Sequence, residues 1–432
     1  MEWLLGSSWV VILFVGLLLG GLWIPFAMGA AASLLLFTTN GWSGFTAYGL
    51  ITWGSVNSFT LTAIPMFILM AEVLVQSGVG ARVYRGLAAS VRYLPGGLLQ
   101  TNILGCALFS AISGSSVATA AAIGTVALPE LEERNYDPKL SAGTLAAGGT
   151  LGILIPPSIA MILYGSFTEV SIAKLFMAGV LPGLLLAGLF MVYVAIRALL
   201  RPELAPRKAM AAQSVLVTAS QLLPFVTLIG LVLGGIYFGV VTPTEAGAVG
   251  SALSLLIAVI WGRFGWREFQ VAVRNSTRVS AGLLFIVLAA YLFAYAIEDA
   301  GIASSLTEWF VGLKLGRIEF IVVIFAMYLV LGCVIDSIGM MVLTVPLLYP
   351  VLLEYGIDPI WFGVVLVVMI ELGQVTPPVG INLFVIQSIW NGRIGQVIAG
   401  TAPFVLIMIA FVALLTVWPE LALYLPSQMR SG

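Results

Sequence analysis

The chain has 432 residues, 61% hydrophobic and 9% charged, where soluble domains carry about 25% charge, so a soluble fold could not hide its apolar surface. A formal net charge of -1 gives no footing for nucleic acid. Histidine, the commonest general base and metal ligand, is absent, and Cys106 and Cys333 lie in apolar runs without metal or disulfide spacing. Both are expected to be packing residues, and covalent catalysis is not expected.

Apolar runs near or above the roughly 18 residues needed to cross a bilayer cover most of the chain. The first, 10–37, follows Glu2 without a basic segment or a small-residue cleavage site and reads as a retained span. A second, 51–77, carries Glu72, an intramembrane acid that serves either a ligand or a neighbouring helix. Arg82, Arg85 and Arg92 follow, and such clusters mark the cytoplasmic side.

The next cluster is Arg197, Arg201, Arg207 and Lys208, and three apolar stretches, 96–133, 140–166 and 174–196, precede it. Three crossings would put Arg197 on the wrong side. The conflict disappears if 96–133 is a re-entrant hairpin, and Ser110-Ala-Ile-Ser-Gly-Ser-Ser116 interrupts its centre with hydroxyls and a glycine. Such a tip lies at membrane depth only if buried in protein or lining water. Hydroxyls and freed carbonyls at Ser113–Ser116 are oxygen ligands for an alkali cation, and close helix packing is the other use of such small residues.

The stretch 140–166 contains Gly148-Gly-Thr-Leu-Gly-Ile-Leu-Ile-Pro-Pro-Ser158. A double proline removes two amide donors and disfavours helix just before it, so this span is expected to unwind rather than merely kink. Spans 215–238 and 241–261 lead to Arg263, Arg267, Arg274 and Arg278, again cytoplasmic. The second opens with Thr242-Pro-Thr-Glu245, a capping box with proline at the first helical position.

Then come 281–299 outward, a second hairpin 318–354 with Asp336 near its tip, 360–389 inward and 398–418 outward. Asp336 either serves a buried functional site or caps the following half-helix. Span 360–389 is interrupted by Gly373-Gln-Val-Thr-Pro-Pro-Val-Gly-Ile-Asn382, with Glu371 one turn before, suited to a cation or to a helix–helix hydrogen bond. The threading gives nine crossings and two hairpins, a cytoplasmic N-terminus, a periplasmic C-terminus, and an inward position for all basic residues except Lys174, Lys314, Arg317 and Arg430.

Slid against itself by 221 residues, the chain aligns Pro129, Pro138, Pro156, Pro157 and Pro182 with Pro350, Pro359, Pro377, Pro378 and Pro403 without a gap. These are all the prolines in both windows. The threading runs the two copies in opposite directions. Inverted repeats with helices broken at matching places point to a secondary transporter with a midplane site. An ion channel built from the same broken helices is the competing class, and an intramembrane protease would need Asp336 paired with Glu371. The expected fold is an all-α polytopic membrane protein with inverted repeats, two re-entrant hairpins and two broken helices.

At Ser113-Gly-Ser-Ser-Val-Ala-Thr119, Gly152-Ile-Leu-Ile-Pro-Pro-Ser158, Thr242-Pro-Thr-Glu-Ala246 and Thr376-Pro-Pro-Val-Gly-Ile-Asn382 the sequence resembles the large membrane subunit (DctM type) of tripartite ATP-independent periplasmic (TRAP) transporters, over essentially its full length. The resemblance implies an elevator-type carrier in a bacterial inner membrane, driven by sodium and carrying a C4-dicarboxylate, sialic acid or related organic anion. It implies two partners, a small membrane subunit (DctQ type) and a periplasmic substrate-binding protein (DctP type), besides membrane lipid. By the same analogy one Na+ site uses Ser113, Ser115, Ser116, Gly149, Thr150 and Gly152, and a second uses Asp336, Gly339, Gly373, Thr376 and Gly380. Substrate would meet Ser115, Ser116, Pro156, Pro157, Ser158, Thr376, Pro377 and Asn382. The second tip reads Asp336-Ser337 where the family commonly has Asp-Pro. The expected organisation is scaffold spans in 1–93, a first transport repeat in 94–205, central scaffold spans in 206–280, a scaffold span and arm in 281–317, and a second transport repeat in 318–432.

Overall fold

The computed structural model describes residues 2–206, 214–332, 335–390 and 392–429. Cys333, Arg207, Lys208 and Arg430 lie outside them. The described residues form helices and turns without a strand. Seven helices are long and apolar enough to cross a membrane, or eight if the bent pair Tyr48–Val56 and Thr60–Gln76 counts as one span.

In chain order the helices begin with α1 (Glu2–Leu19), α2 (Ile24–Asn40), α3 (Tyr48–Val56), α4 (Ala63–Gln76) and α5 (Val79–Ser90). They continue with α6 (Leu98–Ser113), α7 (Ser116–Glu133), α8 (Pro138–Gly149), α9 (Leu151–Leu154), α10 (Ile159–Thr168) and α11 (Ile172–Leu200). Then come α12 (Val215–Tyr237), α13 (Pro243–Trp261), α14 (Trp266–Asp299) and α15 (Ile302–Gly312). The chain ends with α16 (Arg317–Gly332), α17 (Ser337–Glu354), α18 (Pro359–Gln374), α19 (Ile381–Trp390), α20 (Ile394–Val417) and α21 (Glu420–Gln428).

The run 10–37 is two helices, because Gly21 turns the backbone at a φ of +82° and α2 restarts with Pro25 in its first turn. The single crossing that the threading assigned to this run is therefore not its shape. Further on, α14 continues unbroken from Trp266 to Asp299, so a boundary at 280/281 falls inside one helix.

Two sets of helix contacts stand out, and α4 and α5 also pack on α6 between them. In the first, α4 lies against α13 and α14, α14 against α2, and α12 against α13 and α5. Small residues bring α13 close to α4, where Ser251 Oγ donates to the Met66 carbonyl at 2.6 Å. Asn275 Nδ2 donates to Glu72 Oε2 at 3.1 Å, so of its two expected uses Glu72 shows the helix–helix bond.

In the second set, the contacts that join the two sequence copies recur with the copies exchanged. Helix α8 packs on α20, and α18, the equivalent of α8, packs on α11, the equivalent of α20. Helix α10 packs on α17, and α19 packs on α7. The second half of each broken helix thus rests on the hairpin of the other copy. At the α8–α20 crossing a Cβ on Gly143 would fall 2.2 Å from the Gly400 carbonyl oxygen, so only glycine permits that approach.

Candidate functional site: two helix breaks and two hairpin tips

The first hairpin turns at Gly114 in the left-handed region (φ +58°), and Ser115 caps α7 by accepting from Ala118 N–H at 3.4 Å. Hydroxyls hold the turn together, with Ser113 Oγ 2.6 Å from Thr119 Oγ1 and donating to the Ser115 carbonyl at 3.2 Å. A buried chain links this hairpin to its neighbours. Tyr84 on α5 donates to Asn102 on α6 at 2.8 Å, and Asn102 donates to Thr144 on α8 at 3.0 Å.

The first broken helix ends its regular bonding at Ile155 N–H to Leu151 O. Pro156 and Pro157, joined by a cis peptide, have no N–H, so the Gly152 and Ile153 carbonyls lose the donors a continuous helix would supply. Ser158 then caps α10, accepting from Met161 N–H at 3.4 Å. The hairpin tip sits on this break. A Cβ on Gly152 would lie 2.6 Å from the Ser115 carbonyl oxygen and from Ser116 N and Cα, and one on Gly149 would lie 2.8 Å from the Ala120 Cβ. Ser113, Ser115, Ser116, Gly149 and Gly152 therefore lie close together. Thr150 directs its hydroxyl to the Ala147 carbonyl of its own helix at 2.6 Å.

The second half repeats the plan with different side chains. Asp336 caps α17, with Oδ2 accepting from Ile338 and Gly339 N–H at 3.2 and 3.3 Å. Of its two expected uses, the capping one is directly visible. Gly332 of α16 meets Gly373 of α18, where a Cβ on either would fall 2.6 Å from the other's Cα. Pro377–Pro378 is also cis, Thr376 Oγ1 donates to the Leu372 carbonyl at 2.6 Å, and Gly380 has a φ of +50°. The two breaks differ in surroundings: residues 156–158 are buried, whereas 377–379 are exposed.

Glu371 connects the halves. It is 1% exposed, and its Oε1 accepts a hydrogen bond from Ser116 Oγ, the first residue of the other copy's hairpin helix. The sequence left Glu371 between a cation and a helix–helix bond, and the structure shows the bond. Three further polar groups around this break, Glu371 Oε2, Gln374 Nε2 and both side-chain polar atoms of Asn382, are buried without a hydrogen-bond partner. Orphan polar atoms in native interiors usually mark a place that water, an ion or a ligand fills. Gln374 was missed at the sequence level, though its place within the interrupted stretch 373–382 was a usable signal.

Chemically, C-terminal ends of α6, α9, α16 and α18 and N-terminal ends of α7, α10, α17 and α19 occur at the tips and breaks. The former present carbonyls suited to a cation, the latter amides suited to an anion. Among the described residues no group of three or more histidine, cysteine or acidic side chains is placed to hold a metal ion, so any cation here would be held by carbonyls, hydroxyls and single carboxylates.

The family model described as "Tripartite ATP-independent periplasmic transporter, DctM component" matches residues 10–421. The C4-dicarboxylate TRAP transporter large permease protein DctM of Pseudomonas aeruginosa is 36% identical over 374 residues, 85% of this chain and 86% of that protein. Its Rhodobacter capsulatus namesake is 35% identical, covering 96% and 97%. The sialic acid TRAP transporter permease protein SiaT of Haemophilus influenzae is 30% identical over 97% of this chain and 67% of its own. In fold, the crystal structure of the Alcanivorax borkumensis YdaH transporter is similar at a TM-score of 0.63 and 18% identity, covering 90% of each chain. These relatives are permease subunits rather than enzymes, and this multi-pass membrane chain belongs to the DctM family of tripartite ATP-independent periplasmic transporter components.

Proposed function

We propose that this subunit carries out sodium-coupled uptake of a small organic anion delivered by a periplasmic binding protein, together with a small membrane subunit, by an elevator movement of the hairpin-bearing part against α2, α4, α12, α13 and α14. Relatives at 36% and 35% identity are named for C4-dicarboxylates, and others at 30% and 28% for sialic acid, so a C4-dicarboxylate is the favoured substrate class. One relative, for isethionate, is a DctMQ protein of which this chain covers 64%, and its name supports a small membrane subunit as a partner of this family member.

The observation that carries the reading is the position of the first hairpin tip. Its backbone rests on Gly152 at one break, and its Ser116 side chain reaches Glu371 beside the other. A ligand that orders this tip therefore acts on both copies at once. Sodium fits the tip and break oxygens, with one ion at Ser113–Ser116 and 149–153, and a second at Asp336, Gly339 and 373–380. The anion is held between the tips by the amides at the starts of α7, α10 and α19 and by Asn382, since the charged side chains of the hairpins and broken helices, Glu371 and Asp336 excepted, lie toward element ends. Coupling requires that sodium bind the substrate-competent state more tightly than the other, because equal affinity would shift nothing.

The test is uptake of labelled C4-dicarboxylate into proteoliposomes containing both membrane subunits, with the binding protein supplied outside. Accumulation should need an inward sodium gradient. Equal accumulation when choline replaces sodium would overturn the coupling, and steady single-channel conductance in planar bilayers would overturn the carrier reading altogether.

A further inference from the structure

Outside the transport site, a pocket of about 220 Å³ opens where α8 begins, α11 ends and α20 passes, and it is lined by Asp137, Lys139, Tyr193, Arg197, Arg201 and Gly400. Three cations face one acid. The acid is already engaged, because Asp137 Oδ1 accepts from Leu140 N–H at 2.8 Å as the cap of α8. Its backbone is fixed too, with Asp137 N–H donating to the Leu204 carbonyl at 3.0 Å, which closes the floor of the pocket with the turn after α11. Between described residues the only ion pair joins Arg134 to Glu130, so Asp137 neutralises none of the three cations.

Basic residues at the end of a 29-residue apolar helix ordinarily reach out to water at the membrane surface. Arg197 does not fully do so. Its Nε is buried and has no hydrogen-bond partner. An orphan guanidinium N–H inside a cationic pocket calls for an acceptor, and the guanidinium edge matches an oxyanion with two parallel hydrogen bonds. The start of α8 adds the positive end of a helix dipole to the same space. A water molecule has a share of about 30 Å³ in the liquid, so the cavity has room for a polyatomic anion.

We propose that this pocket is a binding site for a phosphate oxyanion, seated by Arg197, Arg201 and Lys139 at the membrane–water interface. An anionic phospholipid headgroup and a soluble phosphate offer the same chemistry. Bound there, the anion joins the end of α11 to the α8–α20 crossing, where the Lys139 carbonyl lies against Gly400 and the two sequence copies meet backbone to backbone.

The test uses the full-length protein purified in detergent, with native mass spectrometry to count retained lipids and thermal unfolding to read stability. Phosphatidylglycerol should be retained and raise the Tm by about 2 °C or more, as expected for a ligand that binds only the folded state. Phosphatidylcholine should not, since the three cations repel its choline. In Arg197→Gln/Arg201→Gln, and in Lys139→Gln at an exposed position, the phosphatidylglycerol increment should shrink to the phosphatidylcholine level, while Arg274→Gln/Arg278→Gln on α14 keeps it. Inorganic phosphate, compared with chloride at equal ionic strength, separates the sources. A pocket-dependent rise with phosphate alone assigns the site to a soluble anion, and a rise with lipid only assigns it to the membrane. An increment that survives the pocket substitutions, or no difference among the two lipids and phosphate, overturns the proposal.

Discussion

Gly152→Ala tests how tightly the first hairpin tip and the first break are coupled. The added Cβ would stand 2.6 Å from three backbone atoms of Ser115 and Ser116, against 3.4 Å for ordinary contact, and backbone cannot swing aside as a flexible side chain does. Overpacking of this kind costs about 1–3 kcal/mol. Alanine also favours helix over glycine by about 1 kcal/mol, and that gain is common to every state in which α9 is helical. The clash exists only when the tip is seated. Global stability should therefore fall by less than the clash, while the equilibrium that seats the tip carries all of it. At about 1.4 kcal/mol per tenfold, the sodium concentration for half-maximal uptake should rise roughly 5- to 150-fold. Gly188→Ala on α11 is the control, because a Cβ there meets nothing within 4 Å, and it should leave the sodium response unchanged. The assay is the sodium titration of uptake in proteoliposomes, read beside thermal unfolding of the same preparations. A correctly folded Gly152→Ala protein with wild-type sodium half-saturation and rate would refute the seating of the tip on this break as the sodium-linked step.

Ser116→Ala leaves the Glu371 carboxyl without its hydrogen bond and should cost about 1–3 kcal/mol; adding Glu371→Gln should cost less than the sum of the two single changes, a coupling measurable by a double-mutant unfolding cycle. Asp336→Asn should keep the cap on α17 and the Tm within a degree or so, since asparagine caps as well as aspartate, while weakening the sodium dependence of uptake because the charge is gone. Thr242→Ala removes the capping box of α13 and should lower stability by about 1 kcal/mol with the sodium half-saturation of uptake unaltered. Tyr291→Phe deletes the hydroxyl that lies 2.9 Å from Ser166 Oγ and donates to the Ser166 carbonyl at 3.0 Å between α14 and α10; spin-label distances across that contact should broaden relative to wild type.

Much of this architecture was written in local chemistry. Double prolines end helices wherever they stand, and both breaks fall at 156–157 and 377–378. The Thr242 capping box needs only four residues and forms as read, with Thr242 Oγ1 accepting from Glu245 N–H at 3.3 Å. The division at Gly20–Trp23 was obscured by the uniformly apolar run on either side, although Gly20-Gly21 and Pro25 mark the turn and the start of α2. Partners distant in sequence were not legible at all. Ser116 and Glu371 are 255 residues apart, and neither residue type announces which of many buried groups it will meet. Exposure of 377–379 against burial of 156–158 was equally out of reach, because equivalent motifs take different surroundings from unlike neighbours.

The repeat sharpens this last point. At the 221-residue offset Ser115 corresponds to Asp336 and Gly152 to Gly373. Both members of the first pair cap the second helix of a hairpin, and both of the second pair take backbone contact from a hairpin. Thr150 corresponds to Glu371, and here the copies part: Thr150 satisfies its hydroxyl on Ala147 of its own helix, while Glu371 crosses to Ser116. Lifting the first tip therefore strips a buried carboxyl of its hydrogen bond, a penalty on the order of 1–3 kcal/mol. Lifting the second leaves the Asp336 carboxyl with its partners, because its bonds to Ile338 and Gly339 lie within the hairpin itself. Two copies of one backbone plan thus differ in how a carboxylate serves the tip: Glu371 ties the first tip to the other copy, and Asp336 caps a helix within the second.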